Sequence, residues 1–321
     1  MKRWLRSLSL TLVLLPLLPL KTWAAERLIP VGQVIGLQLY NDTVTVVAYD
    51  DVLGGAARTA GLKIGDQILE INGTPIACAE DVRSAMEDSR GQMNLTVSRD
   101  GKQRKLTLKP TDTAQGPKMG VFLRQGIAGI GTVTFYNPDS GVFGALGHGV
   151  CDSGGLLKMT RGNAYDAVVE GVKKGKSGDP GQLKGCARSA EPMAPLLRNT
   201  AQGVFGVCRR GWKGEALPVA EYDQIHTGAA TIRTQVGGGE AQEYSVEILK
   251  IYPESRADHR NFLLRVTDPT LLKTTGGIVQ GMSGSPIIQD GRLVGAVTHV
   301  LVNDPTAGYG IYIQNMLDAA A

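Results

Sequence analysis

The stretch Gly277–His299, GIVQGMSGSPIIQDGRLVGAVTH, decides how the second half of this chain is read. At its centre Gly281-Met282-Ser283-Gly284-Ser285-Pro286 separates two apolar runs. A plain turn between two strands would use Gly, Ser and Pro. A turn that holds a nucleophile would use them too. Glycine lets the backbone bend until the N–H groups of Gly281 and Ser283 point into one small space, which is what a developing oxyanion needs. Pro286 stiffens the exit, and Leu293–Val300 is the strand expected behind it.

A serine nucleophile needs a base near neutral pKa, and histidine suits best. The chain has four: His148, His226, His259 and His299. His148 lies in FGALGHGVCD (Phe143–Asp152), between two glycines after an apolar run, where its ring is free to turn towards a partner. His226 follows Gln224-Ile225 in a polar connection and His259 lies in ESRADHR, so both read as exposed. His299 ends the strand behind the serine and is the second candidate. The base in turn needs a carboxylate to fix its tautomer. Asp152 is nearest in sequence, but it sits in a glycine-rich turn where aspartate commonly bonds its own backbone. Asp268 precedes Ser283 by 15 residues, and Pro269 favours extended backbone at it.

Two other architectures fit less well. An α/β-hydrolase elbow wants G-x-S-x-G, and here the last position is Ser285; its order is Ser, acid, His, yet only 16 residues separate Ser283 from His299. A Ser–Lys pair has no S-x-x-K support at Ser283. The order His148 then Ser283, with Gly-x-Ser-Gly-Ser-Pro, resembles the chymotrypsin-like clan, where the base comes from one β-barrel and the nucleophile from the next. Met282 departs from that pattern: it stands where an aspartate would bury a new N-terminal amine, so that route of activation is not expected.

Bulk properties frame this reading. A chain of 321 residues, 42% hydrophobic and 20% charged, is globular and long enough for about two domains. A net charge of +4 is too small to imply nucleic acid. The 42 glycines and the 5% aromatics suit β-structure with many turns and bulges. Lys2, Arg3 and Arg6 precede the apolar run Leu8–Leu20, and Thr22-Trp23-Ala24-Ala25 follows. This describes an export signal over residues 1–25, cleaved or kept as an anchor, which places the rest outside the cytoplasm. Of the four cysteines, Cys78, Cys151, Cys186 and Cys208, none forms a CxxC pair. A disulfide among the last three stays open, and a zinc site using His148 and Cys151 matches no standard spacing. No metal or other cofactor is expected.

Before the catalytic half, residues 28–112 read as a small α+β module. Val34–Leu39 and Val44–Ala48 are short strands, AGLKIGDQILEINGTPI (Ala60–Ile76) carries a turn, a strand and a tight Asn72-Gly73 turn, and Ala79–Asp88 has helical spacing. Asp100-Gly101 joins a closing hairpin. This stretch resembles a PDZ domain of the bacterial protease-associated type, which adds a peptide strand to a sheet edge beside a helix. The resemblance implies that Ile35, Gly36 and Leu37 belong to a loop that takes a peptide carboxylate, while Val82 and Met86 line the groove. After a polar linker at Thr111–Lys118, residues 113–321 alternate short apolar runs with turns, as a barrel or sandwich would, and end in a helix near Ile313–Ala320.

GIGTVTFYNPDSGVFGALGHGV, LLRVTDPTLLKTTGGIVQGMSGSPIIQDGRLVGAVTHVLVNDPTAGYGIYI and the preceding module together resemble the stage IV sporulation protein B peptidase family. The resemblance implies a mainly β fold: a PDZ-like domain, then a chymotrypsin-like β-barrel serine peptidase. It puts the base at His148, the acid at Asp268 and the nucleophile at Ser283. It further implies an exported sporulation enzyme in the space between the two membranes around the forespore. Such an enzyme cleaves itself and a membrane protein that restrains an intramembrane zinc protease, which leads to processing of a late sigma factor. Two other functions fit parts of the sequence. A quality-control protease of the high-temperature-requirement type usually places its PDZ domain after the protease. A non-enzymatic PDZ scaffold would not need both His148 and Ser283.

Overall fold

The computed structural model describes residues 26–321 apart from Arg90, Ser153 and Gly154, so the export signal expected over residues 1–25 lies outside the described residues. No helix among the described residues is long and apolar enough to cross a membrane.

The chain opens with β1 (Arg27–Pro30) and β2 (Val34–Tyr49). It then folds a small module from β3 (Gln67–Ile71), α1 (Ala79–Glu87) and the hairpin of β4 (Met93–Arg99) and β5 (Lys102–Leu108). β6 (Val121–Tyr136) returns antiparallel to β2, from Tyr49↔Val121 to Val34↔Thr132. β7 (Val142–Ala145), β8 (Arg161–Lys173), β9 (Gln182–Ala187), β10 (Ala194–Thr200) and β11 (Gly203–Val207) follow. Hydrogen-bonded neighbours run β6-β7-β11-β10-β8-β2, and β2 pairs back onto β6, so these six strands close into a barrel. Alternate residues face its interior, which buries Ile35, Leu37, Leu39, Phe143 and Val204.

A second closed barrel is built from β12 (Gly228–Thr234), β13 (Gln242–Ile251), β14 (Phe262–Val266), β15 (Pro286–Gln289), β16 (Arg292–Leu301) and β17 (Asp304–Tyr312). Phe262, Leu264, Ile287 and Val297 fill it. The short α2 (Pro269–Thr275) stands between β14 and β15, and α3 (Ile313–Ala320) ends the chain. A separate apolar cluster of Leu28, Phe135, Phe205, Leu293, Ile313 and Met316 joins the barrels. Two barrels in series match the chymotrypsin-like fold expected from the order of base and nucleophile.

The PDZ-like module has its own core of Val44, Ile68, Val82, Leu95 and Val97. Its turns form where the sequence places them. Asn72 and Gly73 take φ of 51° and 81°, and Asp100 and Gly101 take 52° and 72°. These are the positive values a two-residue hairpin turn requires. Asp66 is fully buried, accepts the Lys63 N–H, and pairs with Arg99 at 2.7 Å, so the Gly65-Asp66 turn is anchored by charge.

One difference from the sequence reading matters. Val34–Leu39 and Val44–Ala48 are not two strands around a turn. They are one strand of 16 residues. The polar Asn41-Asp42-Thr43 between them bulges out, and the register against β6 jumps from Leu39↔Ile127 to Val44↔Gln125. Opposite the bulge Gly126 has φ of 76°, and a Cβ there would meet the Leu39 carbonyl, so glycine lets the two strands bend together. Residues 34–39, grouped in sequence with the PDZ-like stretch over 28–112, therefore complete the first barrel, and only the second half of β2 and the first half of β6 reach the module.

Candidate active site

Ser283 stands in the loop between α2 and β15 of the second barrel, and His148 follows β7 of the first. Both line one pocket of about 320 Å³ together with Leu37, Ile130, Leu146 and Gly281. The structure thus brings the predicted base and nucleophile to the same cavity from different barrels.

The nucleophile loop is held from beneath by β6. The Thr132 N–H donates to the Ser283 carbonyl at 3.0 Å, and the Thr132 hydroxyl donates to the Gly281 carbonyl at 2.8 Å. The Thr134 hydroxyl donates to the Gly284 carbonyl at 2.7 Å. Ser285 closes a local turn onto the Met282 carbonyl. With the loop's carbonyls occupied, the N–H groups of Gly281 and Ser283 have no partner among the described residues. They are the two donors the sequence assigns to an oxyanion hole. Gly281 has φ of 98° and Gly284 of 96°, a region other residues avoid. A Cβ on Gly284 would lie 2.0 Å from the Thr132 carbonyl, so close approach to β6 also demands glycine.

The histidine loop is held differently. Leu146 has φ of 71° and Gly147 of 68°. A left-handed leucine is strained, and such strain gathers at functional sites. Its N–H donates to the Thr132 carbonyl, so one threonine binds both loops. The glycines flanking His148 serve contact rather than ring freedom. A Cβ on Gly147 would meet Thr298 at 2.9 Å, and one on Gly149 would meet the Thr200 carbonyl at 2.6 Å. Asn199 fastens the far side: its amide donates to the Val150 and Leu157 carbonyls and its oxygen accepts the Val150 N–H.

His148 Nδ1 lies 3.0 Å from the Gly149 carbonyl. A carbonyl only accepts, so Nδ1 carries the proton and Nε2 keeps the lone pair a base needs. Burial pushes the imidazole below the usual histidine range, and the Gly149 hydrogen bond opposes that shift. His299 packs beside it, ring centres 5.2 Å apart, with its Nδ1 buried and unpartnered. Burial first, then the neighbouring His148 and Arg260, push His299 down to about 4. Both rings are neutral at pH 7. The Ser283 hydroxyl donates to the Thr298 carbonyl at 2.8 Å, so it must rotate about one bond to reach a base.

The structure does not bring Asp268 to His148. Asp268 caps α2: its carboxylate accepts the Thr270 and Leu271 N–H groups at 2.8 and 2.9 Å, and the Ser245 N–H at 3.4 Å. Pro269 at the first helical position completes an ordinary helix start. Asp152 lies in the short strand Cys151–Asp152 just past the histidine.

The predicted peptide-binding residues also separate. Val82 and Met86 on α1 line a groove of about 700 Å³ with Met119–Leu123, so the module's groove runs between α1 and the start of β6. Ile35, Gly36 and Leu37 are not in a carboxylate-binding loop. They are paired with β6 on one side and β8 on the other, which spends their backbone donors. The reason is the straight run of β2 into the barrel.

Thr132, Thr134 and Asn199 were not singled out from sequence. Thr132 and Thr134 alternate with Val133 and Phe135 and are fully buried. Polar residues at strictly alternating core positions were the available signal. Asn199 had none beyond a turn-like setting. The four cysteines are free thiols: Cys208 is buried, and Cys151 and Cys186 are exposed. Among the described residues no group of three metal-ligating side chains comes together. His226 is exposed and pairs with Asp290 at 2.8 Å, while His259 is half-buried against Gln202.

A family model described as SpoIVB peptidase S55 matches residues 115–317, and one described as a PDZ domain matches residues 33–109. Among curated proteins, a putative zinc metalloprotease of Agrobacterium fabrum is 30% identical over 146 residues, 44% of this chain and 38% of that protein. A putative zinc metalloprotease of Vibrio cholerae is 32% identical over 130 residues, covering 40% and 27% respectively. The chain therefore spans about a third of the length of the curated relatives it matches. Among solved structures, the Rv3671c protease of M. tuberculosis in its inactive form is 14% identical with a TM-score of 0.34, over 61% of this chain and 85% of that one. Its active form is 14% identical with a TM-score of 0.35 over 61% and 73%.

Proposed function

The chain belongs to the SpoIVB peptidase S55 family and is a serine peptidase carrying a PDZ domain; on that premise we propose that it is an exported endopeptidase of sporulation signalling. In this reading it acts between the two membranes around the forespore. It cleaves itself and then a membrane-tethered regulator of an intramembrane zinc protease, which leads to processing of a late sigma factor.

The observation that carries the catalytic part is the single pocket shared by His148, Ser283 and the free Gly281 and Ser283 amides. Ser283 Oγ attacks the scissile carbonyl as His148 Nε2 takes its proton. The carbonyl oxygen becomes an oxyanion held by the two amides, and His148 returns the proton to the leaving amine. Water then repeats the sequence on the acyl-serine. The Gly149 carbonyl orients the imidazole in place of the usual carboxylate. Asp268 holds the N-terminus of α2, and through it the approach to the nucleophile loop. The groove between α1 and β6 is the place for a peptide segment of the partner.

A fluorophosphonate that labels Ser283 in the wild type, and fails to label Ser283→Ala, tests the chemistry. Co-expression with the membrane regulator tests the role. Cleavage of the regulator by wild type and not by Ser283→Ala is expected. A regulator left intact by an enzyme that labels normally would overturn the signalling role and leave the peptidase standing.

A further inference from the structure

The strand β9 has one edge that, for most of its length, pairs with no strand among the described residues. Its other edge pairs with β8 over its whole length. On the open side it begins against the nucleophile segment: the Leu183 N–H donates to the Gln280 carbonyl at 2.8 Å, and the Gln280 N–H donates to the Gly181 carbonyl at 3.2 Å. The Gln280 segment then turns away at Gly281 into the catalytic loop. Beyond that point β9 pairs on this side with no strand among the described residues. Alternate residues of a strand direct their N–H and C=O to the same edge. Gly185 and Ala187 therefore present theirs the way Leu183 does, but to open space.

That space is a cleft of about 780 Å³. Residues 182–187 of β9 form its wall, and Gly36–Gln38 of β2 and Ala128–Ile130 of β6 form its floor. It shares Leu37, Gly129 and Ile130 with the catalytic pocket, so the two cavities adjoin at these residues.

Gly129 sits at the junction and has no structural reason to be glycine. Its φ is not left-handed, and a Cβ there would meet nothing within 4 Å. Mid-strand positions favour β-branched residues, and a glycine there weakens the strand unless another chain must pass close by. Gly281 and Gly284 differ from it, because both have positive φ and crowded surroundings. The fold tolerates a side chain at Gly129; a polypeptide lying in the cleft would not.

We propose that the substrate enters as an extended strand on the open edge of β9, its backbone crossing Gly129 on the way to Ser283. Gly185 and Ala187 supply the main-chain pairing. The apolar wall of the catalytic pocket, Leu37, Leu39, Ile127, Ile130, Leu146 and Val150, seats an aliphatic side chain next to the scissile bond. The occupant is a peptide because the cleft adjoins the catalytic pocket at Gly129 and carries an unfilled β edge. The inference rests on the serine-peptidase reading.

The test uses the whole exported protein, a small alkyl fluorophosphonate and a ten-residue fluorogenic peptide selected from a library as its best substrate. In Gly129→Val the ratio of the peptide kcat/KM to the labelling rate is expected to fall about thirty-fold or more, as lost binding along a strand would give. The melting temperature should hold, since valine suits a strand. Separately, saturating peptide is expected to protect Cys186, at the cleft wall, from iodoacetamide in Ser283→Ala, while Cys78 alkylates at its usual rate. An unchanged ratio in Gly129→Val, or equal alkylation of Cys186 with and without peptide, overturns the proposal. A wild-type protein that fails to react with the fluorophosphonate overturns instead the peptidase reading beneath it.

Discussion

The loop carrying Ser283 and the loop carrying His148 meet in one pocket but are held by different forces. The nucleophile loop hangs on hydrogen bonds from Thr132 and Thr134, which occupy its carbonyls and leave two amides free. The histidine loop is wedged by contact, with Gly147 and Gly149 pressed against the second barrel and the Asn199 turn. Hydrogen bonds are directional, so they suit the loop that must aim donors at a point. Close packing fixes position without aiming dipoles, which suffices for a ring that needs only one lone pair exposed. Thr132 is the link, bonding Ser283 with its N–H and Leu146 with its carbonyl.

The largest expected effect tests whether the two loops act as one unit. Ser283→Ala and His148→Ala should each lower turnover by about 10⁴- to 10⁶-fold, and the double variant should be no worse than the more damaging single one. Additive losses in single-turnover kinetics would separate the loops into independent contributors.

Next comes steric tolerance. Gly284→Ala forces a Cβ against the Thr132 carbonyl at a positive φ and should cost about 3 kcal/mol or more in denaturant unfolding, with activity lost in step. Gly149→Ala meets the Thr200 carbonyl at 2.6 Å and an ordinary φ, and should cost less. The reverse ranking would show that contact at the histidine loop outweighs backbone strain at the nucleophile loop.

A smaller effect concerns hydrogen bonds alone. Thr132→Val keeps the shape and removes the bond to Gly281, for a stability loss of about 1 kcal/mol. Because the Gly281 amide then drifts, kcat should fall more than KM rises. Asn199→Ala should lower stability about as much or more, with KM and kcat both altered through the His148 loop. Asp268→Asn retains a good helix cap and should keep turnover within about threefold of wild type. A thousand-fold loss there, with folding intact, would make Asp268 the orienting carboxylate that the family resemblance implies.

The smallest effect is the pH profile. The His148 base works only when neutral, and burial depresses its pKa. The acid limb of kcat/KM should therefore lie below the ordinary histidine value near 6.5, with activity lost as pH falls through the depressed pKa. Stability follows the same direction. The unfolded chain takes up a proton at His299 near pH 6.5, whereas the folded one resists until about 4, so stability drops as pH falls across that window. His299→Gln should flatten that part of the stability curve.

What the sequence made legible divides along the same line. Ser283, its two amides and His148 stood out because glycines bracket them, and positive φ leaves a mark on residue choice. The two-barrel order and the hairpin turns at Asn72-Gly73 and Asp100-Gly101 were readable for the same reason. The supports were not. Thr132 and Thr134 look like any strand threonines until their carbonyl partners, about 150 residues away, are known. Asp268 before proline is equally good as a helix cap or as a catalytic acid, and only spatial neighbours distinguish them. The continuous run of β2 was hidden because a bulge and a turn draw on the same polar residues.

That run has a topological consequence. Leu39 and Ile127 face each other across an antiparallel pair, and the PDZ module occupies everything between them. The module is thus an insertion at the tip of a barrel hairpin, with its entrance and exit side by side. Splicing Leu39 to Ile127 through a two-residue Asn-Gly turn would seal the barrel with an ordinary hairpin. A protease stripped of its PDZ module in this way would keep every strand that holds Ser283 and His148, whereas trimming the chain from its N-terminus would tear β2 out of the first barrel.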